Sequence, residues 1–479
     1  MKKLLHILLL LVTLPGFTQK KTTKPATADP KAIETIVPLT PEKWAFQAGK
    51  VEFVEYKGKK TMKVAPNSGQ VVLKDVIFKD GTIEFDVEPI LPEFAQSIYF
   101  HRKDAKEQEI VYLRVGTIGN KLANTAIQYC PYFDGINMWD MYPQYQGPAP
   151  IQKDEWNHLK LVISGQQMRV YMNHQSQPVL EIPKLEGSLA EGSIAFEGAA
   201  HIANLQIKPN EIEALSPLEG ADLTNHDANY LRKWALSTPT ALPPGTEAYL
   251  GAQPKPDAYL DSIVAERGGF VNLTRKFGGN RERKVIWLKT RITAKEAVKT
   301  KLQLGFSDEV WVFLNNQTVF VDKNLFQQAA MRKYPEGRMS KDNAQFAINL
   351  KPGENELMVA VANDFYGWGI VARLESTEGL RSVDEIAAIL KVAKEISTMD
   401  LDPYLGTYSS SALPVKLTFS QKEKTLMAKT STSPQEFAMQ AEGNHVFKIA
   451  QIGVTVEFKP NEKKLVLTEG NEKREFVKE

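Results

Sequence analysis

Residues 83–88 read Ile-Glu-Phe-Asp-Val-Glu and place three carboxylates, Glu84, Asp86 and Glu88, at every second position. On a β-strand that spacing puts all three on one face, with Ile83, Phe85 and Val87 on the other. A carboxyl pair flanking a glycosidic bond is the machinery of glycoside hydrolysis, and a retaining pair stands about 5.5 Å apart. Side chains four residues apart on a strand start about 13 Å apart, so this chemistry needs a bulge or side chains that lean together. The simpler use of the same spacing is a half-buried strand whose acids form its solvated face.

A second concentration of chemistry is residues 128–147, QYCPYFDGINMWDMYPQYQG. Tyr129, Tyr132, Phe133, Trp139, Tyr142 and Tyr145 lie among Pro, Gly, Asp and Asn, which is the composition of a loop. Aromatic faces in a polar loop suit sugar rings, which stack their C–H faces while hydroxyls bond to Asp, Asn and Gln. Trp139 is the preferred stacking residue, with Tyr129 and Tyr142 beside it. The competing use is a loop that packs its own aromatics over the edge of a sheet. In residues 109–115, Val111, Leu113 and Val115 read as core, which turns Tyr112 and Arg114 to the other face. Arg102, on the neighbouring strand 97–102, is expected beside them. Arginine forks suit sugar hydroxyls or carboxylates, and surface ion pairing is the alternative. Farther along, Asp364, Tyr366 and Trp368 form a polar-aromatic loop that Gly367 and Gly369 allow to bend tightly. That loop fits a sugar contact, a calcium-supported turn, or a plug in which Trp368 fills a core.

Several signatures are absent. No G-x-S-x-G elbow, S-x-x-K pair or H-E-x-x-H occurs, and the seven histidines are scattered. No cofactor is implied; a structural calcium ion is the one metal the loop chemistry accommodates. Two sequons, Asn272-Leu-Thr and Asn316-Gln-Thr, are of a kind frequent by chance. Lys plus Arg total 59 against 57 for Asp plus Glu, so no electrostatic footprint for nucleic acid is present. The single cysteine, Cys130, excludes an intramolecular disulfide.

The elements that must carry these residues are mostly strands. Lys2 and Lys3 precede an apolar run, Leu4 to Leu14, with small residues Gly16 and Thr18 after it. This is the layout of a cleaved export signal over 1–18, too short to span a bilayer comfortably. The expected location is therefore secreted, periplasmic or cell-surface, with no transmembrane segment after cleavage. Residues 19–38 read as a linker. Strands at close spacing then fill 39–210, 215–377 and 401–479, punctuated by Gly, Asn, Asp and Pro. Two antiparallel β-sandwiches and a small barrel-like domain are expected, a mainly β chain. Within residues 304–320, Val310, Val312 and Leu314 alternate with the equally apolar Trp311 and Phe313 before Asn315-Asn316. The spacing in 380–399 predicts one helix, 382–397, capped by Ser382 with Glu385 in the capping-box position.

The first block, on FKDGTIEFDV (78–87), YFHRKD (99–104), EIVYLRV (109–115) and the run 154–173 that opens on Trp156, resembles the concanavalin-A-like, laminin-G-like sandwich. Within it the resemblance is to the 3-keto-disaccharide hydrolase domain family. The second block, on 304–320 and NDFYGWGIVARLE (363–375), resembles galactose-binding-like jelly rolls, with Asn316 where that family has Gly. The third, on PYLGTY (403–408) and REFVKE (474–479), resembles a small lipocalin-like domain. These resemblances imply a carbohydrate or polysaccharide partner. They also imply two alternatives: a glycoside hydrolase acting through the first block, where concanavalin-like endoglucanases use a strand of the type E-x-D-x-E, or a protein-binding adhesion module. Fold alone does not choose among these.

Overall fold

The structure, a computed structural model, describes residues 35–279 and 282–479. The expected export signal at 1–18 and linker residues 19–34 lie outside the described residues. The period-two pattern of the first block folds as two antiparallel sheets. One runs in the order Leu180–Ile182, Gln167–Met172, Asn157–Ser164, Gly81–Pro89, Ala200–Pro209, Lys59–Val64, Val51–Tyr56. The other runs Trp44–Ala45, Val71–Leu73, Ser193–Glu197, Ala95–Arg102, Gln108–Arg114, Ile127–Phe133, Gln146–Gly147, with Ile136–Asn137 also paired to Ile127–Phe133. Ile83, Phe85 and Val87 meet Ile98, Phe100, Val111 and Leu113 in the core between them. Alternation therefore sends Tyr99, Tyr112 and Arg114 to the outside of the second sheet.

The second block is again a sandwich. Its larger sheet is built on Lys284–Ala294, Gly353–Ala362 and Glu309–Leu314; its smaller sheet contains Phe270–Asn272, Gly369–Leu374, Val298–Ser307 and Ala344–Leu350. Lys233–Leu236 pairs on both sides, with Asp261–Val264 and Lys284–Ala294. The doubly apolar strand is explained by two layers. Val310, Val312 and Leu314 face the core between the sheets. Trp311 and Phe313 face outward and are covered, with Trp287, by Ile389 and Ala393 of the helix Ala387–Ser397. Asn315 and Asn316 both take positive φ, 51° and 62°, the conformation a two-residue type I′ turn requires.

The helix starts later than the capping pattern predicts. Leu380–Glu385 is a strand that pairs irregularly with Lys284–Ala294, and Ile386, not Ser382, precedes the first helical turn. Ladder hydrogen bonds to an existing sheet outweigh a local cap there.

The third block is one nine-stranded antiparallel sheet, nearly closed. Its two edge strands, Glu436–Ala438 and Gln440–Gly443, are neighbours in sequence, while Gly406–Ser410 pairs with the last strand, Glu472–Lys478. Among the described residues no helix is long and apolar enough to cross a membrane.

Candidate functional site

The outer face of the sheet holding Gln108–Arg114 gathers Tyr99, Tyr112 and Trp139 into one cluster outside the sandwich core. Register brings Glu197, Ser97, Tyr112 and Gln128 into one row across four strands. The next row is Ala195, Tyr99, Ile110 and Cys130. Tyr99 donates its hydroxyl to Glu197 at 2.7 Å and packs edge-on against Tyr132, 6.0 Å away. Tyr112 donates to Gln128 Oε1 at 2.9 Å. Arg114 donates to the Tyr112 hydroxyl at 2.8 Å, to Gln128 Oε1 at 2.5 Å and to the Thr125 carbonyl at 2.6 Å. Gln128 in turn donates its amide to the Trp139 carbonyl at 2.7 Å, and Asn137 accepts the Trp139 backbone N–H at 3.0 Å. The indole is thus held by its own backbone at the edge of the polar row.

The second sandwich supplies the opposite wall. Phe326 meets Trp139 edge-on at 4.7 Å, Tyr366 does so at 5.9 Å, and the Arg338 guanidinium lies 4.9 Å from the indole centroid. Phe365 stacks parallel to Phe326 at 5.8 Å. The segment carrying Tyr366 rests on the aromatic loop at Gly367, where an added Cβ would stand 2.5 Å from Met141 Cγ. The cleft between the two walls has a volume of about 570 Å³. Tyr112, Arg114, Trp139, Glu197, Arg338 and Tyr366 line it. A space of this size with aromatic walls and a few fixed polar groups has the character of a small-ligand site.

The aromatic loop 128–147 divides its labour. Trp139 is only 8% exposed, yet it belongs to the outer cluster with Tyr99, Ile110 and Tyr112 and not to the sandwich core. Tyr129 is fully buried in that core; its hydroxyl donates to Glu109 and accepts the Glu186 N–H at 2.6 Å. No ligand can reach it. Tyr142 is also removed from the cleft. It packs edge-on against Phe270 of the second sandwich at 5.6 Å, and its hydroxyl accepts from Asn272 at 3.2 Å. Asn272 is itself buried and caps the short helix Leu273–Phe277, so its sequon offers no exposed acceptor. Arg275 completes the junction, bonding Glu266 at 2.6 Å and the Glu186 carbonyl at 2.7 Å. Burial pushes the Glu186 carboxyl up to about 7, with the Tyr145 hydroxyl donating to it.

Other expected site residues separate in the same way. Arg102 does not line the cleft: antiparallel register sets Arg114 opposite Ala95, seven residues from Arg102, or about 23 Å along the strand. Arg102 instead donates to Gln70 at 2.7 Å. Trp368 is the plug of the second core, donating its indole N–H to the Gly278 carbonyl at 3.1 Å. Asp364 lies outside the lining and turns its backbone N–H onto the buried Asp308 carboxylate at 2.5 Å. Of the three residues expected there, Tyr366, 37% exposed, is the one that lines the cleft, beside Phe365. Among the described residues, no group of three or more His, Cys, Asp or Glu side chains is placed to hold a metal ion.

Phe326, Arg338, Glu197 and Tyr99 were not singled out from the sequence. For the first two a signal exists. They lie in 324–343, a long connection between Gln317–Lys323 and Ala344–Leu350 with one short 3₁₀ turn, and connections of that length are commonly functional.

The acidic strand lies on the other sheet, away from the cleft. Asp86 accepts from Lys59 at 2.8 Å, His158 at 2.9 Å and Asn204 at 2.6 Å. Glu84 pairs with Lys208 at 2.8 Å, and Glu88 with Lys57 at 2.8 Å. Each carboxylate is neutralised in place, the arrangement of a structural face. Burial opposes ionisation of Asp86, but these three donors outweigh it and hold the carboxyl far below the usual range. The unfolded chain therefore takes up this proton first. Asp86 contributes stability in full above the ordinary value of 3.8, and that stability is lost as the pH falls below it. The triple variant Glu84→Gln, Asp86→Asn, Glu88→Gln is expected to leave the cleft on the opposite sheet intact. Its stability at pH 7 should fall by about 1–3 kcal/mol, and the gap to the native protein should narrow in melts run at pH 3. A loss of binding in calorimetry with unchanged melting would return the acidic strand to the site.

Set against known proteins, the chain matches no protein-family model and no curated protein in sequence. Solved structures are similar over about a third of it. The carbohydrate-binding module CBM66 from Bacillus subtilis is 16% identical, with a TM-score of 0.26, over 34% of this chain and 93% of that one. The galectin LEC-6 of Caenorhabditis elegans is 12% identical, with a TM-score of 0.23, over 34% and 99%. The exoplasmic/lumenal domain of VIP36, in its Ca²⁺/Man3GlcNAc-bound form, is 12% identical, with a TM-score of 0.26, over 38% and 93%.

Proposed function

We propose that this is an exported carbohydrate-recognition protein whose sugar site is the cleft between its two sandwiches. The observation that carries this reading is the cleft's composition. Trp139, Tyr112 and Tyr366 line it with aromatic rings, Tyr366 being the most exposed of the three, and Arg114, Glu197 and Asn137 are fixed by hydrogen bonds around them. Sugars need both kinds of contact, ring faces for their C–H bonds and oriented donors and acceptors for their hydroxyls. The adhesion alternative would be favoured by a sandwich face covered by the helix with no open groove. The helix Ala387–Ser397 does cover a face of the second sandwich, but the cleft between the sandwiches stays open, which supports the ligand reading. The hydrolase alternative through Glu84, Asp86 and Glu88 lacks support, because those groups are ion-paired on the far sheet. The basic-then-apolar amino terminus supports export.

The test is a broad glycan array probed with the full chain, followed by calorimetry on the best oligosaccharide. Binding to a chemically related subset is expected, with a fall of at least tenfold in affinity for Arg114→Ala combined with Tyr366→Ala. Binding to no saccharide, or binding that ignores the double substitution, would sink the reading.

A further inference from the structure

The charges in the cleft are distributed unevenly. At one edge, Glu197 is held by Tyr99 and lies two strands away from the strand that carries Arg114, about 10 Å by strand spacing. Glu93 lines the same cleft and accepts the Ala199 and Phe94 N–H groups. At the other edge stand two guanidiniums, Arg114 and Arg338.

These two arginines are poorly neutralised. All three hydrogen bonds of Arg114 go to uncharged acceptors, the Thr125 carbonyl, the Tyr112 hydroxyl and Gln128. Arg338 is more constrained. Its side chain is only 5% exposed, and its Nε has no hydrogen-bond partner. Among the described residues its one ion pair is to Glu336 at 3.2 Å, a side chain 71% exposed and therefore well screened. The Asp140 carboxyl makes no ion pair with it among the described residues; burial and Asp308 push that carboxyl well above the usual range, against the pull of Arg338. Burial and the Arg114 charge both weaken the hold of Arg338 on its proton. A buried donor left unpaired beside a like charge is a standing cost, and a bound anion would offset the charge part of it.

We propose that the cleft takes a saccharide bearing an anionic substituent, a uronic-acid carboxylate or a sulfate ester, seated between Arg114 and Arg338. The proposal rests on the carbohydrate reading of the same cleft. The anionic group meets the two forks, the sugar ring lies along Trp139 and Tyr366, and neutral hydroxyls reach Glu197 at the far edge. Guanidinium suits this role because its planar fork matches two oxygens of one anion, and because the indole beneath Arg338 holds that fork in place.

The experiment is calorimetric titration of the full chain with matched pairs. One pair is polygalacturonate oligosaccharides and their methyl esters; the other is sulfated galactan oligosaccharides and their desulfated forms. The expected result is at least tenfold tighter binding of one anionic member over its neutral partner, and which pair shows it names the substituent. Raising the salt should weaken that preference. Arg338→Gln should abolish it, and Arg338→Lys should retain part of it. If the glutamine variant does not fold, the lysine variant carries the test, with a loss of at least fivefold in the preference expected. Neutral members binding as tightly as anionic ones would overturn this inference and leave the carbohydrate reading standing. No binding to any of the four would overturn this inference, and silence on the glycan array as well would overturn the carbohydrate reading with it.

Discussion

Trp139→Ala is expected to weaken saccharide binding by about 2–4 kcal/mol, roughly 30- to 700-fold. Three features of the ring set that size. The indole is braced before any ligand arrives, by Phe326 and Tyr366 edge-on and by Arg338. Its backbone C=O accepts from Gln128 and its backbone N–H donates to Asn137. A ligand therefore gains the stacking surface without ordering a mobile side chain, which is where preorganised aromatics derive their effect. Truncation removes the surface and also the floor on which Arg338 lies. Trp139→Phe keeps an aromatic face and is expected to recover most of the affinity. Calorimetry on the oligosaccharide selected by the array decides it; an alanine variant that binds within twofold of the native protein would remove Trp139 from the site.

The second large effect concerns the scaffold. Trp311→Ala is expected to destabilise the second sandwich by about 3–5 kcal/mol. Trp311 is buried on the outer face of the larger sheet, donates its indole N–H to Glu247 at 2.9 Å and shares a cluster with Trp287, Phe313, Ile389 and Ala393. Removing it opens a cavity under the helix Ala387–Ser397 and undocks that helix. For a unit of this size the melting transition should fall by roughly 6–20 °C. Hydrogen exchange should quicken at residues 387–397 first, because they lose the surface on which they rest. Unchanged melting and unchanged exchange would show that the helix is held by something else. Below the new transition, saccharide binding should persist, since the cleft lies against the other side of this sandwich's loops and not against its helix.

These two tryptophans mark how much was legible beforehand. Trp311 was readable as a strand residue apolar on the wrong face, but what covered it was not, because the helix lies some seventy-five residues away and begins after a strand that the capping pattern hides. Trp139 was readable as a stacking residue in a polar loop. Its neighbours Tyr129 and Tyr142 carried the same signal and went elsewhere, one into the core and one into the junction between sandwiches. Composition marks a loop as rich in aromatics; it does not say which ring meets solvent.

The sequence by itself determined the mainly β class, the inward faces of the strands and the Asn315-Asn316 turn. Those follow from period-two alternation and from residues that tolerate positive φ, and both act over a few neighbours along the chain. It also determined that Tyr112 and Arg114 share the face opposite Val111 and Leu113. Only the tertiary structure decided that this face is a cleft. Its far wall, Phe326, Arg338 and Tyr366, comes from connections two hundred residues downstream, and Arg102 drops out because antiparallel register carries it to the other end of the sheet. It was likewise the tertiary structure that closed Lys57, Lys59 and Lys208 over Glu88, Asp86 and Glu84. Face and turn are local consequences of geometry. Which faces meet, and which charges are left unpaired between them, depends on pairings that no short stretch of the chain contains.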